Sequence, residues 1–83
     1  SKMEKISLGK GAALAVTGVR DIVFHGQHFK SNIYQRERLG AGDRIVGPAV
    51  ICEYDSTTII WPGDIMQVDE YGNLIITFPE KSH

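Results

Sequence analysis

Apolar and polar residues alternate from His28 to Tyr34. Phe29, Ser31 and Ile33 fall on one face, with His28, Lys30, Asn32 and Tyr34 on the other. A period of two predicts a half-exposed strand, because successive side chains point to opposite sides of a pleated chain. Val19 to Phe24 is β-branched and aromatic, and Gly26, with His25 and Gln27, supplies a hairpin turn. Gly47-Pro48 opens the most apolar run, Ala49 to Cys52; proline donates no ladder hydrogen bond and suits a strand's first residue. After Asp55-Ser56 the pattern resumes as Thr57-Thr58-Ile59-Ile60-Trp61, residue types that pack well on a pleated surface. Pro62-Gly63 has the chemistry of a type II turn. Ile65 to Val68 and Leu74 to Phe78 then flank Asp69-Glu70-Tyr71-Gly72-Asn73, a common hairpin spacing.

No segment carries sustained helical periodicity. Arg36 to Asp43 is polar, with Gly40 and Gly42, and reads as a loop; Gln35 to Leu39 has room for one helical turn at most before Gly40. The expected fold is therefore all-β, a small barrel or sandwich of five to seven short, mainly antiparallel strands, with turn signals about every eight to twelve residues. Residues 1–18 read as an irregular entry segment, since Gly9, Gly11 and Gly18 argue against a stable helix, with a candidate short strand at Ala13 to Val16. The β domain is expected over 19–79, with a tail at 80–83.

Composition narrows the function. Eighty-three residues allow one domain. Nine Lys plus Arg against ten Asp plus Glu give a net charge of −1, which offers no clustered cations for a phosphate backbone, so no nucleic-acid partner is expected. No stretch approaches the about 18 apolar residues of a membrane span. Cys52 is the single cysteine. It excludes an internal disulfide, favours the cytoplasm for so small a domain, and is expected as a buried, inert thiol in its apolar run.

An ordered series of short strings carries a resemblance. Gly47-Pro48-Ala49-Val50-Ile51 is followed by Glu53-Tyr54-Asp55-Ser56-Thr57-Thr58, by Pro62-Gly63, and by Val68-Asp69-Glu70-Tyr71-Gly72-Asn73-Leu74. Upstream stand Phe24 and Gly26, Ile33 to Leu39, and Gly42 before Arg44-Ile45. The series resembles the C-terminal segment of the hydantoinase A and 5-oxoprolinase family, which includes N-methylhydantoinases and acetone and acetophenone carboxylase subunits. It covers Val19 to Ile76. One departure is local: the family's Pro-Pro-Gly-Trp is here Trp61-Pro62-Gly63-Asp64, with the aromatic residue on the other side of the turn. The resemblance implies a parent that uses ATP and Mg²⁺ to hydrolyse a cyclic amide such as N-methylhydantoin or 5-oxoproline, or to carboxylate a ketone. It also implies that this segment is an accessory unit, partnered by the remaining domains or subunits of the parent.

The residues themselves nominate no catalytic, cofactor or metal site. The chain has neither Gly-x-x-x-x-Gly-Lys-Ser/Thr nor Gly-x-Gly-x-x-Gly, and Gly9-Lys10-Gly11 is too short for a phosphate cradle. His25 and His28 lack further ligands at suitable spacing. Ser56 has no neighbouring histidine to act as its base. Glu53 with Asp55, and Asp69 with Glu70, read as solvated charges. What remains is a candidate domain interface formed by Tyr54, Asp55, Ser56, Thr57, Thr58 and Trp61. Its polar stretch is either an exposed contact loop or a turn in which Asp55 bonds the amide of Thr57 or Thr58. Trp61 is either interface or core lid. A biotinyl-type carrier barrel is the rival reading, but its tip lysine is missing between Asp69 and Asn73.

Overall fold

The structure is a computed structural model and describes residues 4–79. Seven strands form two sheets: β1 (Val16–Phe24), β2 (Gln27–Gln35), β4 (Ala49–Cys52) and β5 (Thr57–Ile60) in one, in the order β1-β2-β4-β5, and β3 (Arg44–Val46), β6 (Ile65–Val68) and β7 (Leu74–Thr77) in the other, in the order β3-β6-β7. The fold is an all-β sandwich. Among the described residues every strand pairing within the two sheets is antiparallel except β2 with β4, which run parallel; an isolated parallel bridge joins Leu8 to Ala41.

Local turn chemistry accounts for the hairpins. His25 and Gly26 both take positive φ, 52° and 75°, between Phe24 and Gln27, the backbone a tight two-residue hairpin requires. Pro62-Gly63 turns with Gly63 at φ 93° and the Asp64 N–H donating to the Trp61 carbonyl at 3.0 Å. The turn joining β6 to β7 is organised by Asp69, whose Oδ1 accepts the N–H groups of Tyr71 (2.9 Å) and Asn73 (2.8 Å) and whose Oδ2 accepts the Asn73 amide (2.9 Å). These bonds, that from the Asn73 side chain foremost, hold the Asp69 carboxyl below its ordinary 3.8.

The main core lies between the sheets. Ala49, Ile51 and Ile60 face Ile45, Met66 and Val68, with Ala15 and Leu39 closing the cluster and Tyr34, Leu74 and Ile76 packed around it. Fully burying a side chain of this kind contributes about 1.5–3 kcal/mol. The register puts Ile33, Val50 and Ile59 on the opposite face of the first sheet. Val50 is fully buried there as well, so β4 is apolar on both sides and reads as a continuous run, not an alternation.

Several expectations are corrected. Ala12–Ala15 is a 3₁₀ turn, not a strand, and β1 begins at Val16. The alternation along β2 holds, with Tyr34 on the face opposite Ile33, but the strand is not simply half-exposed: beside β4 that second face packs against the main core through Tyr34. Cys52 is half-buried, on the strand's last residue, and not enclosed. Arg36 to Asp43 keeps to the one helical turn allowed for it, the 3₁₀ turn Arg36–Arg38, but is not polar throughout, since Leu39 to Ala41 is buried. The expected tail at 80–83 lies outside the described residues.

Candidate domain-interface surface

The Gly-rich entry segment is irregular but tied down. The Ile6 N–H donates to the Glu70 carbonyl (2.9 Å) and the Gly9 N–H to the Ala41 carbonyl (2.9 Å), while the Ala41 N–H donates to the Ser7 carbonyl (3.0 Å). Asp43, only 6% exposed, anchors the far end: its Oδ1 accepts the Gly11 N–H at 3.2 Å and its Oδ2 the Gly40 N–H at 2.9 Å. The amides of Gly11 and Gly40 thus hold an internal carboxylate. Gly40 has to be a glycine, since a Cβ there would lie 2.6 Å from the Gly9 backbone.

Fastened in this way, the segment forms one wall of a groove of about 700 Å³. Ile6, Leu8, Leu14 and Tyr71 are its apolar lining, and Lys10, Arg36, Glu37 and Arg38 its charged one. Leu8 is 81% exposed and Leu14 67%. Arg36 organises this end of the sandwich. Its Nη2 donates to the Gly72 carbonyl, and its Nε lies 3.8 Å from Glu53 Oε1, so one guanidinium joins the end of β2 to the β4–β5 and β6–β7 loops. A smaller hollow lined by Gln35, Arg36, Glu37, Glu53 and Tyr54 continues the same surface.

The residues nominated from sequence divide between two places. Tyr54, Asp55 and Ser56 form the exposed tip between β4 and β5, with Tyr54 fully exposed beside Arg36 and Glu37. The tip closes through Glu53 and not Asp55: the Glu53 N–H donates to the Ser56 carbonyl (2.9 Å), and the Ser56 hydroxyl donates to Glu53 Oε2 (3.2 Å). Thr57 and Thr58 begin β5, an edge strand of its sheet. Trp61 lies beyond the other end of β5, stacked on Phe24 at 5.2 Å, with Phe29 6.5 Å from Phe24. At 36% exposed it is a half-covered lid on the second apolar face. The structure therefore brings Tyr54 to the smaller hollow beside the groove and takes Trp61 away from both.

The residues that line the groove itself went unnominated. Leu8 and Leu14 sit in a Gly/Ala stretch with no periodicity, and Arg36 owes its role to partners 17 and 36 positions away. The isolated apolar residues of the entry segment were the one available signal. His28 Nδ1 lies 3.5 Å from Asp21 on the exposed hairpin, and His25 sets its ring against Phe24 at 4.3 Å. Among the described residues no cluster of three His, Cys, Asp or Glu could hold a metal ion, and no helix is long and apolar enough to cross a membrane.

The comparisons with known proteins agree with this architecture. An acetone carboxylase in its nucleotide-free structure superimposes with a TM-score of 0.80 over 90% of this chain and 11% of its own, at 22% identity. An ATP-dependent caprolactamase from Pseudomonas jessenii does so with a TM-score of 0.75 over 92% of this chain and 11% of its own, at 24% identity. An uncharacterized protein of Methanocaldococcus jannaschii is 42% identical over 57 residues, 69% of this chain and 8% of that relative's length. The chain therefore spans a small fraction of the proteins it matches. The family model of the hydantoinase/oxoprolinase C-terminal domain matches residues 3–77, and the chain belongs to that family.

Proposed function

We propose that this chain acts as a non-catalytic accessory domain of a larger cytoplasmic enzyme of the hydantoinase/oxoprolinase type. The parent would couple ATP and Mg²⁺ to the opening of a cyclic amide such as N-methylhydantoin or 5-oxoproline. The observation that carries the reading is the match of residues 3–77 to a C-terminal domain, together with an 11% share of each solved neighbour's chain. The two neighbours are named as an acetone carboxylase with an ATP-dependent mechanism and an ATP-dependent caprolactamase, which supports an ATP-using parent. The likeness to the first also supports a second reading, a segment of an acetone or acetophenone carboxylase subunit. In either parent the domain's partners are the remaining domains or subunits.

The chemistry of the described residues is consistent with an accessory role. The Ser56 hydroxyl donates to Glu53, and the Gly11 amide of the entry segment is turned on Asp43. The test is to incubate the chain with ATP, Mg²⁺ and hydantoin or 5-oxoproline. Phosphate release at the buffer blank is the expected result, and turnover above it overturns the reading.

A further inference from the structure

We infer that the groove at the Arg36 end of the sandwich docks an apolar surface with an acidic rim, supplied by another part of the parent's own polypeptide. The inference rests on the accessory role proposed above and goes further, by naming the face that docks and the chemistry it meets.

Three observations carry it. The first is openness. A pocket for a small molecule encloses most of its ligand, whereas Leu8 and Leu14, at 81% and 67% exposed, leave this groove uncovered along its length. Apolar side chains gathered in this way beside polar ones mark a macromolecular contact. The second is charge. The chain as a whole carries −1, yet the groove is lined by Lys10, Arg36 and Arg38 against Glu37 alone. Arg36 is engaged by Glu53, while Lys10 and Arg38 have no ion pair among the described residues. A basic rim around an apolar floor selects an acidic counterpart. It also disfavours a second copy of this chain, because a two-fold pair would set these cations against themselves. The third is what lies outside the chain: the matched domain makes up 11% of each solved neighbour, so polypeptide able to cover the groove is abundant in proteins of this build. Val19 and Val23 on β1 offer no equivalent, since they alternate with Asp21, opposite Asn32, Lys30 and His28.

The experiment measures maleimide labelling of single cysteines, introduced in a Cys52→Ser background, in the full-length enzyme and in this chain alone. Labelling is located by peptide mass spectrometry. Leu8→Cys and Leu14→Cys should label about tenfold or more slowly in the full-length enzyme, while Val23→Cys labels alike in both. Adding Arg38→Glu to the full-length enzyme should return the Leu8→Cys rate toward that of the free domain. Urea midpoints of the isolated Leu8→Cys, Leu14→Cys and Val23→Cys variants, each at an exposed position, should stay close to that of the Cys52→Ser chain. Protection at Val23→Cys with Leu8→Cys open overturns the inference and leaves the accessory reading standing. Protection that ignores Arg38→Glu overturns the acidic counterpart. Protection already present in the isolated chain and lost on dilution identifies a second copy and overturns the proposal. The accessory reading fails separately, by ATP turnover in the isolated chain.

Discussion

Gly9 lies so close to Asp43 that a Cβ on the glycine would overlap the aspartate's carboxyl group. That carboxylate already accepts N–H groups from Gly11 and Gly40, so it has no free direction in which to retreat. Gly9→Ala should therefore detach the entry segment, and Asp43→Ala should do the same by leaving two amides unsatisfied. A loss of about 1–3 kcal/mol is expected for Asp43→Ala. Urea midpoints measure the loss, and limited proteolysis should show earlier cleavage near Lys10 in both variants.

Gly72 stands at φ 89° in the turn between β6 and β7, where an added Cβ would meet only the Ile6 side chain, at an ordinary 3.5 Å. The demand there is conformational and not steric. Gly72→Val should destabilise by roughly 1 kcal/mol or more, since β-branched residues resist positive φ. Gly72→Asn should recover most of the loss. An unchanged urea midpoint for the valine variant would contradict the left-handed assignment.

At Gly47 the demand is steric. An added Cβ would run into the carbonyl of Trp61, which is backbone and cannot swing aside. The Gly47 N–H also donates to the Asp64 carbonyl at 2.9 Å, fixing the strand edge where the collision occurs. Gly47→Ala should cost more than Gly72→Val, a ranking that thermal melts of the two variants check directly.

Met66 is fully enclosed between the sheets, while Ile75, on the partner strand, faces outward. Met66→Ala should lose about 2–5 kcal/mol, and Ile75→Ala should stay within about 0.5 kcal/mol. Equal losses at the two positions would mean that the sandwich packs through the other face of β6 and β7.

Turns and strands were legible wherever the determinant is local. Gly26, Pro62-Gly63 and Tyr71-Gly72-Asn73 each carry their own backbone requirement, and each turn stands where its residues place it. The pairing of β2 with β4 was not legible, because parallel neighbours need no turn between them and leave no short-range mark. The groove itself was not legible. Leu8, Leu14 and Arg36 matter through partners far along the chain, and Tyr54, which stood out in a recognisable string, lines only the smaller hollow beside it. Asp43 reads as a loop residue and is buried only because Gly9, Gly11 and Gly40 close over it.

Asp69 gives the domain an acid-sensitive turn. Its carboxyl titrates below its ordinary 3.8 when folded, chiefly through the Asn73 side chain. A depressed folded value means that the charged form favours the fold, so the contribution is present above the unfolded value and is lost as pH falls through the folded one. Urea midpoints followed from about pH 6 downward should fall more steeply below about pH 4 for the wild type than for Asp69→Asn. Parallel curves would assign the acid sensitivity to other carboxylates.

The chain order has a kinetic consequence. β3 belongs to one sheet yet lies in sequence between β2 and β4 of the other, so no cut in the polypeptide separates the sheets. Neither sheet can be completed until the chain has crossed the sandwich and returned, which demands closure of long loops before the pairing of β2 with β4 forms. Such topologies fold slowly, on the order of milliseconds to seconds, and in one step. The amide protons of Val50 and Met66, in different sheets, should then exchange with solvent through the same global opening.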